Sequence, residues 1–120
     1  MYGLKKEINL SFFVGCELSQ IAIGLFQVQF HFDDSVSLSV EAEFRYFDGQ
    51  QEWNWIQEPS SPDVAARTVA LLGARVTHFH SELNGTLSLT FSNGHRLTVL
   101  DSSKEYESYG INHHGEIIIV

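Results

Sequence analysis

Val28, Phe30 and Phe32 alternate with Gln27, Gln29 and His31. After Asp33-Asp34-Ser35 the rhythm returns, with Val36, Leu38, Val40, Ala42 and Phe44 set against Ser37, Ser39, Glu41 and Glu43. Successive side chains of a strand point to opposite faces, so this pattern specifies a hairpin with one buried and one wet face. A second hairpin is written the same way: Leu87, Leu89 and Phe91 against Thr86, Ser88 and Thr90, then Asn93-Gly94, then Leu97 and Val99. Asn-Gly is a strong hairpin signal and predicts a type I′ turn with positive φ at both residues. Ile8, Leu10, Phe12 and Val14 predict a further strand, and residues 116–120, β-branched after His113-His114-Gly115, predict a buried one. Residues 49–61 are expected to form a loop or an edge strand.

One helix is expected near residues 62–72. Ser61 would be its N-cap, Pro62 its first residue, Asp63 the favourable anion of its first turn and Gly73 its terminator. Val64, Thr68 and Leu71, with Ala65, Val69 and Leu72, form its expected inward stripe.

Two stretches match each other. Val14-Gly15-Cys16-Glu17-Leu18-Ser19 aligns with Leu72-Gly73-Ala74-Arg75-Val76-Thr77 at an offset of 58, and Val28, Phe30 and Phe32 then fall on Leu87, Leu89 and Phe91 at 59. The expected organisation is a single domain over residues 1–120 with an internal pseudo-repeat, 14–40 and 72–99. The fold class is mainly β (α+β): two repeated strand-plus-hairpin units forming a small barrel or sandwich, covered by one helix.

The net charge of -8 is concentrated. Residues 33–63 hold eight acids, Asp33, Asp34, Glu41, Glu43, Asp48, Glu52, Glu58 and Asp63, against the single base Arg45, a net -7. Such a chain is not expected to bind nucleic acid or an anionic membrane. No run reaches the roughly 18 apolar residues of a membrane span, and no apolar signal segment follows Lys5 and Lys6. A lone cysteine, Cys16, allows no internal disulfide and points to a reducing, cytoplasmic setting.

Chemistry is sparsely encoded. His78 and His80 share one side of a strand, whereas His113 and His114 point apart; Cys16, Glu82 or His95 would have to complete a zinc site, and no metal-ligand spacing is present, so no metal and no cofactor is expected. Cys16 sits in an apolar setting that raises a thiol pKa and makes it inert. The pairs Glu41 with Glu43 and Glu105 with Glu107 read as solvated faces, so no catalytic residue is assigned. Acids beside Trp53 and Trp55 have the composition of a surface for a basic partner, or equally of a wet edge with its tryptophans turned inward.

The segments V-G-C-x-L-x-Q-I (residues 14–21), L-L-G (71–73), G-T-L-S-L-x-F-S-N-G-x-x-L-x-V (85–99) and Y-E-S-Y-x-I (106–111) resemble a family of small bacterial proteins of unknown function. Such proteins are similar to immunity partners of interbacterial toxins, and the resemblance implies no catalytic residues.

Two functions are therefore expected to compete. The first is a non-enzymatic protein-binding module, an immunity-type inhibitor of a basic toxin, with Asp33, Asp34, Glu41, Glu43, Asp48, Glu52, Trp53 and Trp55 as its contact surface. The second is a small-molecule-binding or enzymatic domain with a pocket between the repeat units, lined by His78, Tyr106 and Tyr109. A homodimer through an unpaired edge strand is a third, plainer arrangement.

Overall fold

The computed structural model describes residues 9–103 and 107–120. Two five-stranded antiparallel sheets face one another as a sandwich. The first runs β1 (Leu18–Ile23), β2 (Val28–Phe32), β3 (Val36–Val40), β9 (Tyr109–His113), β10 (Glu116–Ile119). The second runs β5 (Glu52–Ile56), β4 (Glu43–Phe47), β8 (Arg96–Leu100), β7 (Leu87–Phe91), β6 (Val76–Ser81). Every second residue of β2, β3 and β7 is buried, as the alternation requires.

Aromatic rings cross the gap between the sheets. Phe30 of β2 meets Phe44 of β4 edge-on at 5.6 Å, and Phe44 stacks on Trp55 of β5 at 5.3 Å. Phe32 and Phe91 face each other at 6.3 Å, with Phe13 against Phe32. Leu18, Val28, Leu38, Leu87, Leu89 and Leu97 are all fully buried alongside these rings.

The two strand triplets meet through reciprocal hydrogen bonds. Gly15 N–H donates to Val76 O (2.8 Å) and Gly73 N–H to Leu18 O (2.9 Å); Leu18 N–H donates to Ala74 O (3.0 Å) and Val76 N–H to Cys16 O (2.9 Å). Each pair is related by 58 residues, and Glu17 pairs with Arg75 at the centre. Both units also carry a register shift at the same place, between Leu18 and Gln20 and between Val76 and His78.

Four expectations are corrected. Residues 9–14 are not a strand, the expected Ile8 lying outside the described residues: Ser11–Phe13 form a 3-10 turn in which Leu10 and Phe13, three apart, are the buried pair. The run from Val36 to Phe44 keeps its phase, yet it is two strands. At Glu41 and Ala42 both N–H groups turn to Ser108 O (2.9 and 3.1 Å), and the chain crosses to the other sheet. Residues 116–119 form the edge strand β10 rather than a buried one, with Ile117 and Ile119 exposed. At Asn93-Gly94 only Gly94 has positive φ (86°), which makes a three-residue loop with glycine at the left-handed position; the expected type I′ geometry at both residues is absent.

The helix α1 (Pro62–Arg67) continues as a 3-10 turn, Thr68–Leu71, and ends at Gly73 (φ 86°). It packs against the edge strands β1 and β5 and closes that side of the sandwich. Ala65, Thr68 and Leu71 face inward, with the Thr68 hydroxyl donating to Ala65 O (2.6 Å). Val69 and Leu72 are exposed, because the tighter 3-10 turn rotates them out of the stripe that an α-helix would give. Ser61 stands at the N-cap position but makes no side-chain capping bond. No described helix is long and apolar enough to cross a membrane.

Candidate functional site

The acids of residues 33–63 do not form one patch. Asp33 and Asp34 lie in the β2–β3 turn, where Asp33 meets Arg75 (3.7 Å) and Asp34 meets His114 (3.3 Å). Asp48 and Glu52 flank the β4–β5 turn. Glu41 and Glu43 sit at the opposite end of β4, four residues or about 13 Å along the strand. Trp55 is fully buried and is removed from the contact surface. Trp53 is half-buried: its indole N–H donates to Asp48 Oδ2 (3.0 Å) and its face is covered by the Arg67 guanidinium at 3.6 Å.

Among the described residues, the side chains expected to line a pocket between the units do not come together. His78 is exposed on the edge strand β6, with its ring against its neighbour Thr77. Tyr109 is fully buried and its hydroxyl donates to Gly85 O (2.6 Å), and burial pushes its phenol well above the usual range. Tyr106 lies outside the described residues. Among the described residues no cluster of three metal-ligating side chains occurs. Cys16 is buried, its thiol donating to Phe12 O (3.2 Å), and burial first, then the Asp33 charge, raises its pKa.

What the fold does assemble is an apolar and acidic face at the Glu41 end. The β1–β2 tip, Gly24-Leu25-Phe26, projects Leu25 (68% exposed) and Phe26 (59% exposed), and is anchored by Gln57 Nε2 donating to Phe26 O (3.0 Å). Gln27 and Glu41 join this tip to a trough on the outer face of the first sheet, bordered by Ile117 and Ile119 of β10. Glu41 and Glu107 meet there, and burial first, then the hydrogen bond and charge of Glu107, raise the Glu41 carboxyl above its ordinary value. Five of the exposed large apolar side chains, Ile23, Leu25, Phe26, Ile117 and Ile119, belong to this end and face. Grouped exposure of this kind makes the face a candidate interaction surface. Its trace in the sequence is Ile23-Gly24-Leu25-Phe26, apolar where a hairpin tip is ordinarily polar.

A second cluster lies at the other end of the second sheet. β4 and β8 bring Tyr46 and His95 together, 49 residues apart, with the hydroxyl 2.6 Å from Nδ1. The β4–β5 turn places Asp48 beside them. Its carboxylate accepts Gln51 N–H (2.7 Å), Gln50 N–H (2.9 Å) and the Trp53 indole. These bonds, the one from Gln51 foremost, hold its pKa at about 2, below its ordinary 3.8. A carboxylate depressed in the folded state adds stability above its unfolded value, and that stability is lost as pH falls through the folded value. Asp48→Asn is therefore expected to flatten the fall of Tm between about pH 4 and pH 2. An unchanged slope in thermal melts across that window would contradict the assignment.

No curated protein and no solved structure matches the chain. A family model does match, over residues 10–120, which is all but the first nine positions and takes in both sheets, the helix and both clusters. The chain thus belongs to the DUF6188 family, a family of unknown function.

Proposed function

We propose that this protein is a non-enzymatic binding module for a basic protein, docking it on the face formed by Leu25, Phe26, Ile117 and Ile119 around Glu41 and Glu107. The carrying observation is the gathering of exposed apolar side chains about a carboxyl pair, on a chain of net charge -8. Apolar side chains supply the buried contact, and carboxylates select and steer a cationic partner. Glu43, Glu52, Glu58 and Asp63 have no basic partner within 4 Å among the described residues, so their field remains available to such a partner. An immunity-type role, inhibition of a basic toxin in a cytoplasmic setting, is the specific form of this reading. The interior packed with aromatic rings weighs against the alternative of a ligand pocket between the units.

The test is capture at low salt on the immobilised protein, eluted with a salt gradient, in parallel with Phe26→Ser/Ile117→Ser and with Glu52→Gln. A basic protein is expected to leave at moderate salt, and the double apolar variant should weaken it about thirtyfold, the equivalent of an anchor worth about 2 kcal/mol. Glu52→Gln should change chiefly the salt dependence. Retention of the same protein by the double variant would remove this face from the interface.

A further inference from the structure

We propose that the depression lined by Tyr46, Asp48, Gln50, Arg67, Ala70 and His95 binds the carboxylate or phosphate group of a small molecule. It is open to solvent, with a volume of about 290 Å³. It stands apart from the proposed docking face, at the opposite end of β4 from Glu43.

Its acceptors are largely spent. The Asp48 carboxylate already takes three hydrogen bonds. Ala70 O accepts from Asn93 Nδ2 (3.3 Å). Its donors are not spent. Tyr46 is buried, burial together with the Asp48 charge raises its pKa, and its hydroxyl lies 2.6 Å from His95 Nδ1. With Nδ1 engaged by Tyr46, Nε2 is the ring nitrogen turned away from it, and in the tautomer that accepts at Nδ1 it presents an N–H. Arg67 stacks on Trp53, which holds its fork, and it forms no ion pair among the described residues. The Gln50 amide adds a further donor. A guanidinium fork and an imidazole lining one depression suit a planar or tetrahedral group carrying two oxygens. The Asp48 charge opposes the anion and the Arg67 charge favours it, so selectivity comes from the geometry of the donors and affinity is modest, on the order of millimolar.

The experiment is an NMR titration of the full chain at neutral pH and constant ionic strength, with inorganic phosphate in one series and acetate in another. Saturable shifts are expected at the Arg67 Nε–H, the Gln50 side-chain amide and the His95 ring in at least one series, and the series that saturates identifies the group. Arg67→Gln should weaken binding roughly tenfold, since a bidentate charged contact is lost. The urea midpoint of that variant checks its fold, and His95→Gln serves as a second variant. Shifts that stay linear with concentration, that are as large at Arg45 and Arg96, or that persist unchanged in both variants would overturn the proposal.

Discussion

Trp55→Ala is expected to cost about 3–5 kcal/mol, a large part of the roughly 5–15 kcal/mol that holds a domain of this kind folded. Trp55 is the largest fully buried side chain, stacked at 5.3 Å on Phe44, which in turn meets Phe30 across the sandwich. Truncation leaves a cavity beside Phe44, one of the rings that bridge the two sheets. Trp55→Phe should cost much less than the volume change alone suggests. The indole N–H is buried with no hydrogen-bond partner among the described residues, and losing an unsatisfied donor returns about 1–3 kcal/mol. Urea denaturation followed by far-ultraviolet circular dichroism checks both variants. A loss below about 1 kcal/mol for Trp55→Ala would contradict the ring packing described above.

Gly85→Ala carries the second large effect, about 2–5 kcal/mol, from two separable causes. Gly85 has φ of 97°, where an L side chain is strained. Its added Cβ would also lie 2.5 Å from the Asp101 Cβ. Neither partner is free to retreat. Asp101 accepts the Ser108 hydroxyl (2.7 Å), and the Gly85 carbonyl accepts the Tyr109 hydroxyl (2.6 Å), so the group ties the second sheet to the first. Gly94→Ala is the control, because Gly94 has φ of 86° with nothing within 4 Å of its added Cβ. The difference between the two variants isolates the contact. If they lose the same stability within about 0.5 kcal/mol, the close approach at Asp101 is not felt.

The strands inside each hairpin were legible because burying one face imposes period two, and one misplaced residue would turn every side chain over. Alternation is silent on whether a strand stays in its sheet. Val36 to Phe44 therefore reads as one strand, although Ser108 O draws the chain across at Glu41 and Ala42. Nor does an apolar run reveal whether a neighbour covers it, which is why residues 116–119 read as buried when they form an edge. The site was less legible than the fold. Tyr46 and His95 lie 49 residues apart and meet only through the pairing of β4 with β8. Trp53 and Trp55 differ by two and share a face, yet one is core and the other lies under Arg67 at the sandwich edge. Residues 33–63 carry most of the net charge, but a linear count places acids together that the register of β4 separates.

The centre of the reciprocal hydrogen bonds between the strand triplets carries one further consequence. When two identical chains associate about a dyad, a residue on the axis meets its own copy, so an acid there would face an acid. Here the two halves belong to one chain, and the axial positions need not be alike. Glu17 and Arg75 occupy them as opposite charges, 3.4 Å apart, with Arg75 also donating to Gly15 O (2.8 Å). Covalent continuity thus permits a heterotypic contact where isologous symmetry would impose self-repulsion, at the seam that joins the two sheets.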